Sequence, residues 1–430
     1  MSEEIKKIAI FTLGCNKNLV DSERLAGILD GKQFELTYNI NEAEAVIINT
    51  CGFIKPAKEE SIQLILQMAE LRRRNKIKKL IVFGCLSQRY PDLKNQILQI
   101  DKVFGIEPFK QIVDSFGKKY VSEYSRFLMT PPHYSYLKIS EGCNHRCSFC
   151  AIPLIKGKYR SRKMEDLLIE AKDLSKQGVQ ELNIIAQDTT FYGKDIYGTY
   201  KLPVLLNNLA ENFEFKWIRL LYTYPTNFPK DVLKVIAKHD NICKYIDLPL
   251  QHISNNVLHS MKRRSTKESI TELIKEIRDT IPDVAIRTTF IVGYPNETEQ
   301  DFEELYSFVE EQKFERLGVF TYSPEEGTSA YSLADPIPQE IKDERLDKIM
   351  RLQQQISLER NKSLIGNTID VIIDDDENKK FYIGRTQFDA PEIDNGVIIK
   401  SSKKFLPGVI IKAKVVRAEE YDLHVEYPAN

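Results

Sequence analysis

The chain has no apolar run long enough to span a membrane, no excess of charge of either sign, and no coiled-coil or apolar surface stripe that would announce a partner. Lys and Arg number 61 against 62 Asp and Glu in 430 residues, 29% of the residues are charged, and the sequence pI is near 6.6. That balance, with 42% hydrophobic residues, suits a soluble chain of two or three domains. The opening MSEEIKKIAIF lacks an apolar segment with a small-residue cleavage site, so a cytoplasmic, monomeric protein with no membrane contact is expected. Disulfide-like scatter is missing too. Of 7 cysteines, six fall into two groups of three, which suits a reducing compartment. Cys243 is left over and reads as a small core residue.

The first group is compact. Cys143, Cys147 and Cys150 lie in EGCNHRCSFC, a C-x3-C-x2-C spacing that gathers three thiolates in one loop and leaves a four-coordinate centre one ligand short. A structural zinc site is the alternative, but zinc sites close with four ligands and no second knuckle follows. His145, two positions from each neighbouring cysteine, is poorly placed to complete one. An iron-sulfur cluster held by three cysteines keeps one iron open to a reactant.

The second group is dispersed. Cys15, Cys51 and Cys85 each follow a short β-branched apolar run, at 7–15, 43–51 and 79–85, with helical patterns such as 56–75 between them. Strands alternating with helices predict an open parallel sheet whose strand ends share one crevice. Three buried structural cysteines are the bland alternative. Their matching positions favour a second three-cysteine cluster with an open iron.

A linker containing Thr130-Pro131-Pro132 leads to six further candidate strands, at 134–140, 181–187, 217–222, 245–250, 285–293 and 316–323. Six βα units make a partial TIM-like (β/α)6 barrel, open on one side, with its chemistry at the carboxyl ends of the strands. Arg160 and Arg162 offer paired donors for a carboxylate or phosphate. A charged helix at 339–362 precedes short strands with turn signals, which predict a small all-β barrel. The fold class is thus α/β with an all-β end: an N-terminal domain over 1–120, a barrel over 133–335, a connecting helix over 336–362 and a β-barrel domain over 363–430.

The C-x3-C-x2-C motif, with Phe149 before its third cysteine, resembles that of the radical S-adenosylmethionine enzymes. In that family the open iron chelates S-adenosylmethionine, and an electron from the cluster releases a 5'-deoxyadenosyl radical. The cofactor does the hard chemistry and the protein positions it. The resemblance implies cofactor contacts from Phe149, from Gln187 and Asp188 near the amino end of the ligand, and from Gly293 beside the adenine. No catalytic side chain is expected beyond the cluster ligands.

TLGCNKNLVDSE around Cys15, INTCGFI, FGCLSQRY, EGCNHRCSFCAIP and TYSPEEGTSA, followed by a TRAM-like terminal domain, resemble the radical S-adenosylmethionine methylthiotransferase family over essentially the whole chain. The resemblance implies two 4Fe-4S clusters. One, on Cys143, Cys147 and Cys150, makes the radical; the other, on Cys15, Cys51 and Cys85, presents sulfur that a second S-adenosylmethionine methylates. It also implies a sulfur source and an electron donor such as flavodoxin or ferredoxin.

Members divide by substrate. Some modify an adenosine in tRNA; the RimO branch modifies an aspartate of ribosomal protein S-twelve, free or in an assembling small subunit. Leu13 and Lys17-Asn18-Leu19-Val20 resemble that branch, although Asn16 stands where proline is common in it. Charge points the same way. Residues 363–430 carry nine Lys or Arg against twelve Asp or Glu, with Asp374-Asp375-Asp376-Glu377 in one turn. Such a surface is expected to attract a basic ribosomal protein and repel tRNA. Basic runs at 72–79, 156–163 and 262–264 keep the tRNA reading open, and a non-enzymatic, zinc-stabilised adaptor is a third possibility.

Overall fold

The computed structural model describes residues 5–30, 34–118, 120, 126–375 and 381–427. Five parallel strands build the N-terminal sheet: β1 (Lys7–Thr12), β2 (Glu35–Leu36), β3 (Ala45–Thr50), β4 (Lys79–Gly84) and β5 (Lys102–Val103), in the order β2-β1-β3-β4-β5. All six residues of β3 are buried, as a central parallel strand covered on both faces requires. Alternate side chains feed two cores. Val46, Ile48, Leu80 and Val82 meet Ile65 and Met68 of α2 (Lys55–Arg73), while Ile8, Ala45, Ile47 and Ile81 meet Leu25 and Leu29 of α1 (Asn16–Leu29). Short helices α3 (Cys85–Arg89), α4 (Leu93–Gln96) and α5 (Phe109–Ser115) complete the domain.

The barrel domain carries a parallel sheet of β6 (Tyr134–Lys138), β9 (Glu181–Ile185), β10 (Trp217–Leu220), β11 (Ile242–Asp247), β12 (Ala285–Val292) and β13 (Arg316–Thr321), with the two-residue strands β7 (Ser140–Glu141) and β8 (Arg160–Ser161) paired apart from it. Among the described residues β6 and β13 each have a single strand neighbour in this sheet, so the barrel stays open between them. The fourth predicted segment, 245–250, deviates most: β11 begins at Ile242 and ends at Asp247, ahead of Pro249, which has no N–H to extend the ladder. Around the sheet run α6 (Ile152–Lys156), α7 (Met164–Lys176), α8 (Lys194–Tyr197), α9 (Leu202–Asn212), α10 (Asp231–Lys238), α11 (Asn255–Ser260), α12 (Lys267–Thr280) and α13 (Glu299–Gln312). Apolar faces of α7, α9, α10, α12 and α13 close one continuous core on the strands.

Helix α14 (Gln339–Ser363) leads to a closed barrel of β14 (Thr368–Asp375), β15 (Phe381–Arg385), β16 (Gly396–Ser401), β17 (Ile410–Ala418) and β18 (Asp422–Tyr427). Its 386–395 loop seats against the amino ends of the large barrel's strands. Arg316 Nε donates to Asp389 Oδ1 at 2.8 Å, Tyr245 donates to Asp394 at 2.6 Å, and Arg219 donates to the Gln387 carbonyl at 2.7 Å. Cys243 is buried in the apolar cluster at that junction, beside Trp217 and Ala390.

This docking corrects the charge argument for a basic partner. Asp389 and Asp394 face barrel arginines, and Asp374 pairs with His133 at 2.7 Å and Arg385 at 2.7 Å, so much of the acidic excess points inward. Asp376 and Glu377 lie outside the described residues. The basic run at 72–74 is likewise engaged: Arg72 makes two hydrogen bonds to Asp101, and Arg73 and Arg74 both bind Glu70. Among the described residues no helix is long and apolar enough to cross a membrane.

Candidate active site: two convergent cysteine triads

Three adjacent strand ends bring the dispersed cysteines together. Cys15 caps α1, Cys51 follows β3 directly and Cys85 opens α3 after β4. Gly14 takes φ +91°, and a Cβ there would lie 2.8 Å from Cys51 Sγ, so the turn tolerates only glycine. Asn18 ties the ends together: its Nδ2 donates to the Leu13 carbonyl at 2.9 Å and the Thr50 carbonyl at 3.1 Å, and Cys85 Sγ lies 3.6 Å from its Oδ1. Asn49 Nδ2 in turn donates to the Asn18 carbonyl at 2.8 Å. Asn18 was named from the sequence only as part of a family-like pattern and Asn49 not at all, although each stands three residues or fewer from a triad cysteine.

The compact triad leaves β6 through β7. Gly142 has φ +78°, and a Cβ on it would meet the Lys158 carbonyl at 2.3 Å, so the loop enters against that backbone. Ser148 N donates to the Met261 carbonyl at 3.0 Å and Cys150 N to the Cys147 carbonyl at 3.1 Å. His145 is engaged elsewhere. Its Nε2 lies 2.7 Å from Asp188 Oδ2 and its ring stacks on Tyr224 with centroids 3.6 Å apart. Tyr224 Oη is 3.7 Å from Cys147 Sγ, and Arg263 lies over the Tyr224 ring with Nη1 4.0 Å from the same sulfur. Both come from distant loops; Tyr224 carried no local signal, and Arg263 stood out only as part of the basic run at 262–264.

Both sets of thiols suit a polynuclear cluster. Burial pushes Cys85, Cys143 and Cys150 up to about 12, and raises Cys51 as well. A thiol so buried is inert unless a cationic centre replaces its proton. Among the described residues, Asp21, Glu107 and Glu141 form a group whose ligand atoms all lie within 4.8 Å of one another.

That acidic trio is no metal site, because two lysines fill it. Lys138, 1% exposed at its side chain, binds Asp21 and lies 2.8 Å from Glu141 and 3.4 Å from Glu107; Lys156 lies 3.3 Å from Glu141 and 3.7 Å from Asp21. The network joins the N-terminal domain to the barrel beside both triads. Gln187 belongs to it, its Nε2 donating to Glu141 Oε1 at 2.7 Å while its own Oε1 is buried without a partner.

The other sequence-derived residues are placed as follows. Asp188, 2% exposed, accepts from Thr190 N at 2.9 Å through one oxygen and holds His145 with the other. Phe149 packs on a cluster of Val257, Met261, Tyr294 and Tyr322. Gly293 has φ +70°, donates its N–H to Glu297 at 2.8 Å, and leaves room for the Lys342 side chain, whose Cγ would be 2.3 Å from a Cβ there. Arg162, expected to bind a carboxylate or phosphate ligand, instead pairs with Glu170 at 2.6 Å, and Arg160 reaches Glu107 at 3.3 Å.

A second clasp joins the domains at the far side. Glu325, in the loop after β13, accepts from Lys58 Nζ at 2.8 Å and from Arg89 Nη1 at 2.9 Å, and Arg89 also donates to the Gly52 carbonyl at 3.1 Å. The result is a shared wall, in which Cys85 packs on Ala151 and Ile155 of the segment that follows Cys150.

The models of three families match this chain: the radical SAM superfamily over 137–309, an uncharacterized protein family, UPF0004, over 7–105, and the TRAM domain over 365–427. The chain is 47% identical to the ribosomal protein uS12 methylthiotransferase RimO of Chloroherpeton thalassium, over 98% of this chain and 99% of that one. It is 49% identical to that of Aquifex aeolicus, over 97% and 96%. The chain belongs to the RimO methylthiotransferase family. In fold it resembles the radical S-adenosylmethionine methyltransferase TsrM of Kitasatospora setae, with a TM-score of 0.56 at 14% identity over 76% of this chain and 77% of that one. It also resembles the cobalamin-dependent enzyme OxsB, with a TM-score of 0.52 at 13% identity over 81% and 56%.

Proposed function

We propose that this chain adds a methylthio group to the β-carbon of an aspartate in ribosomal protein S-twelve. Cys143, Cys147 and Cys150 would hold one 4Fe-4S cluster, Cys15, Cys51 and Cys85 a second, and S-adenosylmethionine would serve as both radical source and methyl donor. The observation that carries this reading is the pair of three-thiol sets set on a common wall of α3 and α6. When bound, the clusters would supply an electron for S-adenosylmethionine cleavage at the first triad and a sulfur atom for transfer at the second.

The chain's own residues do the rest. Arg263 beside Cys147, and Lys156 near Cys85 and Cys15, place positive charge against thiolate-rich sites. Phe149, Gln187, Asp188 and the backbone at Gly293 are the proposed S-adenosylmethionine contacts, Asp188 also holding His145. The Lys138–Glu141 network and the Glu325 clasp hold the two triads in fixed register, which a reaction shared between two centres requires.

The deciding measurement compares cells lacking this gene with their parent. Loss of a methylthio mass from S-twelve, with tRNA nucleosides unchanged, supports the proposal. Loss of a methylthio nucleoside from tRNA instead would keep the chemistry and reassign the substrate.

A further inference from the structure

Three lysines are buried where the N-terminal domain meets the barrel, and two of them are compensated. Lys138 and Lys156 each sit among carboxylates. The third, Lys17, is 9% exposed; its ammonium faces Tyr222 and the Cys15 thiol, and among the described residues it makes no ion pair with a carboxylate. Its Nζ rests 3.3 Å from the centre of the Tyr222 ring. The carboxylate at hand, Asp247, is already engaged, accepting from Tyr222 N at 2.8 Å and pairing with Arg287 at 3.2 Å. A ring face offsets part of the cost of burying a cation, but not what a carboxylate would supply.

Its place in the fold gives this unpaired charge a direction. Lys17 stands two residues from Cys15 in the first turn of α1, and reaches across to the carboxyl ends of β10 and β11, the face of the barrel on which its chemistry sits. Tyr222, which receives it, is held at φ +57°, a left-handed conformation that a bulky residue rarely adopts and that clusters at functional sites.

We infer that Lys17 receives the carboxylate of the residue being modified and so selects an acidic side chain at the reacting position. This rests on the substrate reading above. The β-carbon of aspartate is bonded directly to its carboxyl carbon. A pose that delivers that carbon to a group presented by the second triad therefore brings the carboxylate to the side of the triad that Cys15 and Lys17 share. A charge-assisted hydrogen bond in this dry setting would fix both position and identity. An adenine has no anionic group to meet it.

The test uses the reconstituted full-length enzyme and two synthetic peptides of the S-twelve segment, one with the target aspartate and one with asparagine in its place. Binding is read by fluorescence anisotropy, KM and kcat by mass spectrometry, and iron content and melting temperature as folding controls. Wild type is expected to prefer the aspartate peptide by about 10-fold or more. Lys17→Met should weaken binding of that peptide by a similar factor, raise its KM, leave the asparagine peptide unaffected, and so erase the preference. Lys17→Arg should restore part of it. If Lys17→Met loses iron, Lys17→Gln is read instead. A variant that binds both peptides equally less well, or still discriminates as wild type does, overturns the assignment of Lys17 alone. A wild-type enzyme that ignores both peptides and also leaves S-twelve unmodified in small ribosomal subunits overturns the substrate reading and this inference with it.

Discussion

Cys85 packs directly against Ile155, which lies in the helix immediately after Cys150. A candidate ligand of one triad thus touches the segment that carries the other. The contact joins residues from separate domains and ties the geometry of one centre to that of its neighbour. Lys156, the next residue, extends the link by facing the thiols of Cys85 and Cys15 as well as Glu141.

The division of labour between the triads is separable by mutation. Cys147→Ala is expected to abolish 5'-deoxyadenosine formation while about half the iron remains, and Cys51→Ala is expected to retain that cleavage while methylthio transfer is lost. Iron analysis with product assays reads both. A Cys51→Ala enzyme that completed methylthiolation at the normal rate would refute the two-cluster arrangement.

Glu325 should matter more to coupling than to cleavage. Its side chain is 3% exposed between Lys58 and Arg89, and Glu325→Ala would strand two cations at the domain junction, at a cost of about 3 kcal/mol. The expected result is a lower denaturation midpoint and a higher ratio of 5'-deoxyadenosine to methylthiolated product. An unchanged ratio would show that the clasp does not hold the triads in register.

Gly14→Ala forces a left-handed residue and drives a methyl group onto Cys51 Sγ. Loss of about half the iron is expected, with S-adenosylmethionine cleavage retained at the other triad. Normal iron content would mean that the turn relaxes without moving the cysteines.

Acid should weaken the junction through Glu170. Burial alone would raise this carboxyl, but Arg162 and Arg126 outweigh it and hold it at about 2, below the usual 4.5. The folded state therefore binds this proton less readily than the unfolded chain. Its contribution is complete above pH 4.5 and is lost as the pH falls from 4.5 through about 2. Glu170→Gln should be less stable than wild type at pH 7, with the gap narrowing as the medium is acidified through that window. Denaturant titrations at several pH values measure it, and a constant gap would contradict the assignment.

The terminal barrel is held by buried ion pairs, so Asp389→Ala should loosen it by leaving Arg316 unpaired. Faster proteolysis after α14 with unchanged iron content is the expected outcome. Equal protection would show that apolar contacts such as Trp217 with Ala390 suffice.

What the sequence determined by itself was local or repeated. The spacing of Cys143, Cys147 and Cys150 is set within one loop, and the alternation of β-branched runs with helices placed Cys15, Cys51 and Cys85 at neighbouring strand ends, because parallel sheets leave few other topologies. The order of the domains followed from the same periodicities. Tertiary structure decided the rest. The Glu325 clasp spans more than two hundred residues, Arg263 and Tyr224 approach Cys147 from other loops, and the acidic groups of the terminal domain turn inward to meet Arg287 and Arg316. A charge count cannot tell a solvated carboxylate from a paired one, and the pattern around Lys17 does not show which ring its ammonium will meet. Those distinctions depend on which distant side chains share a dry space, and only the folded chain brings them there.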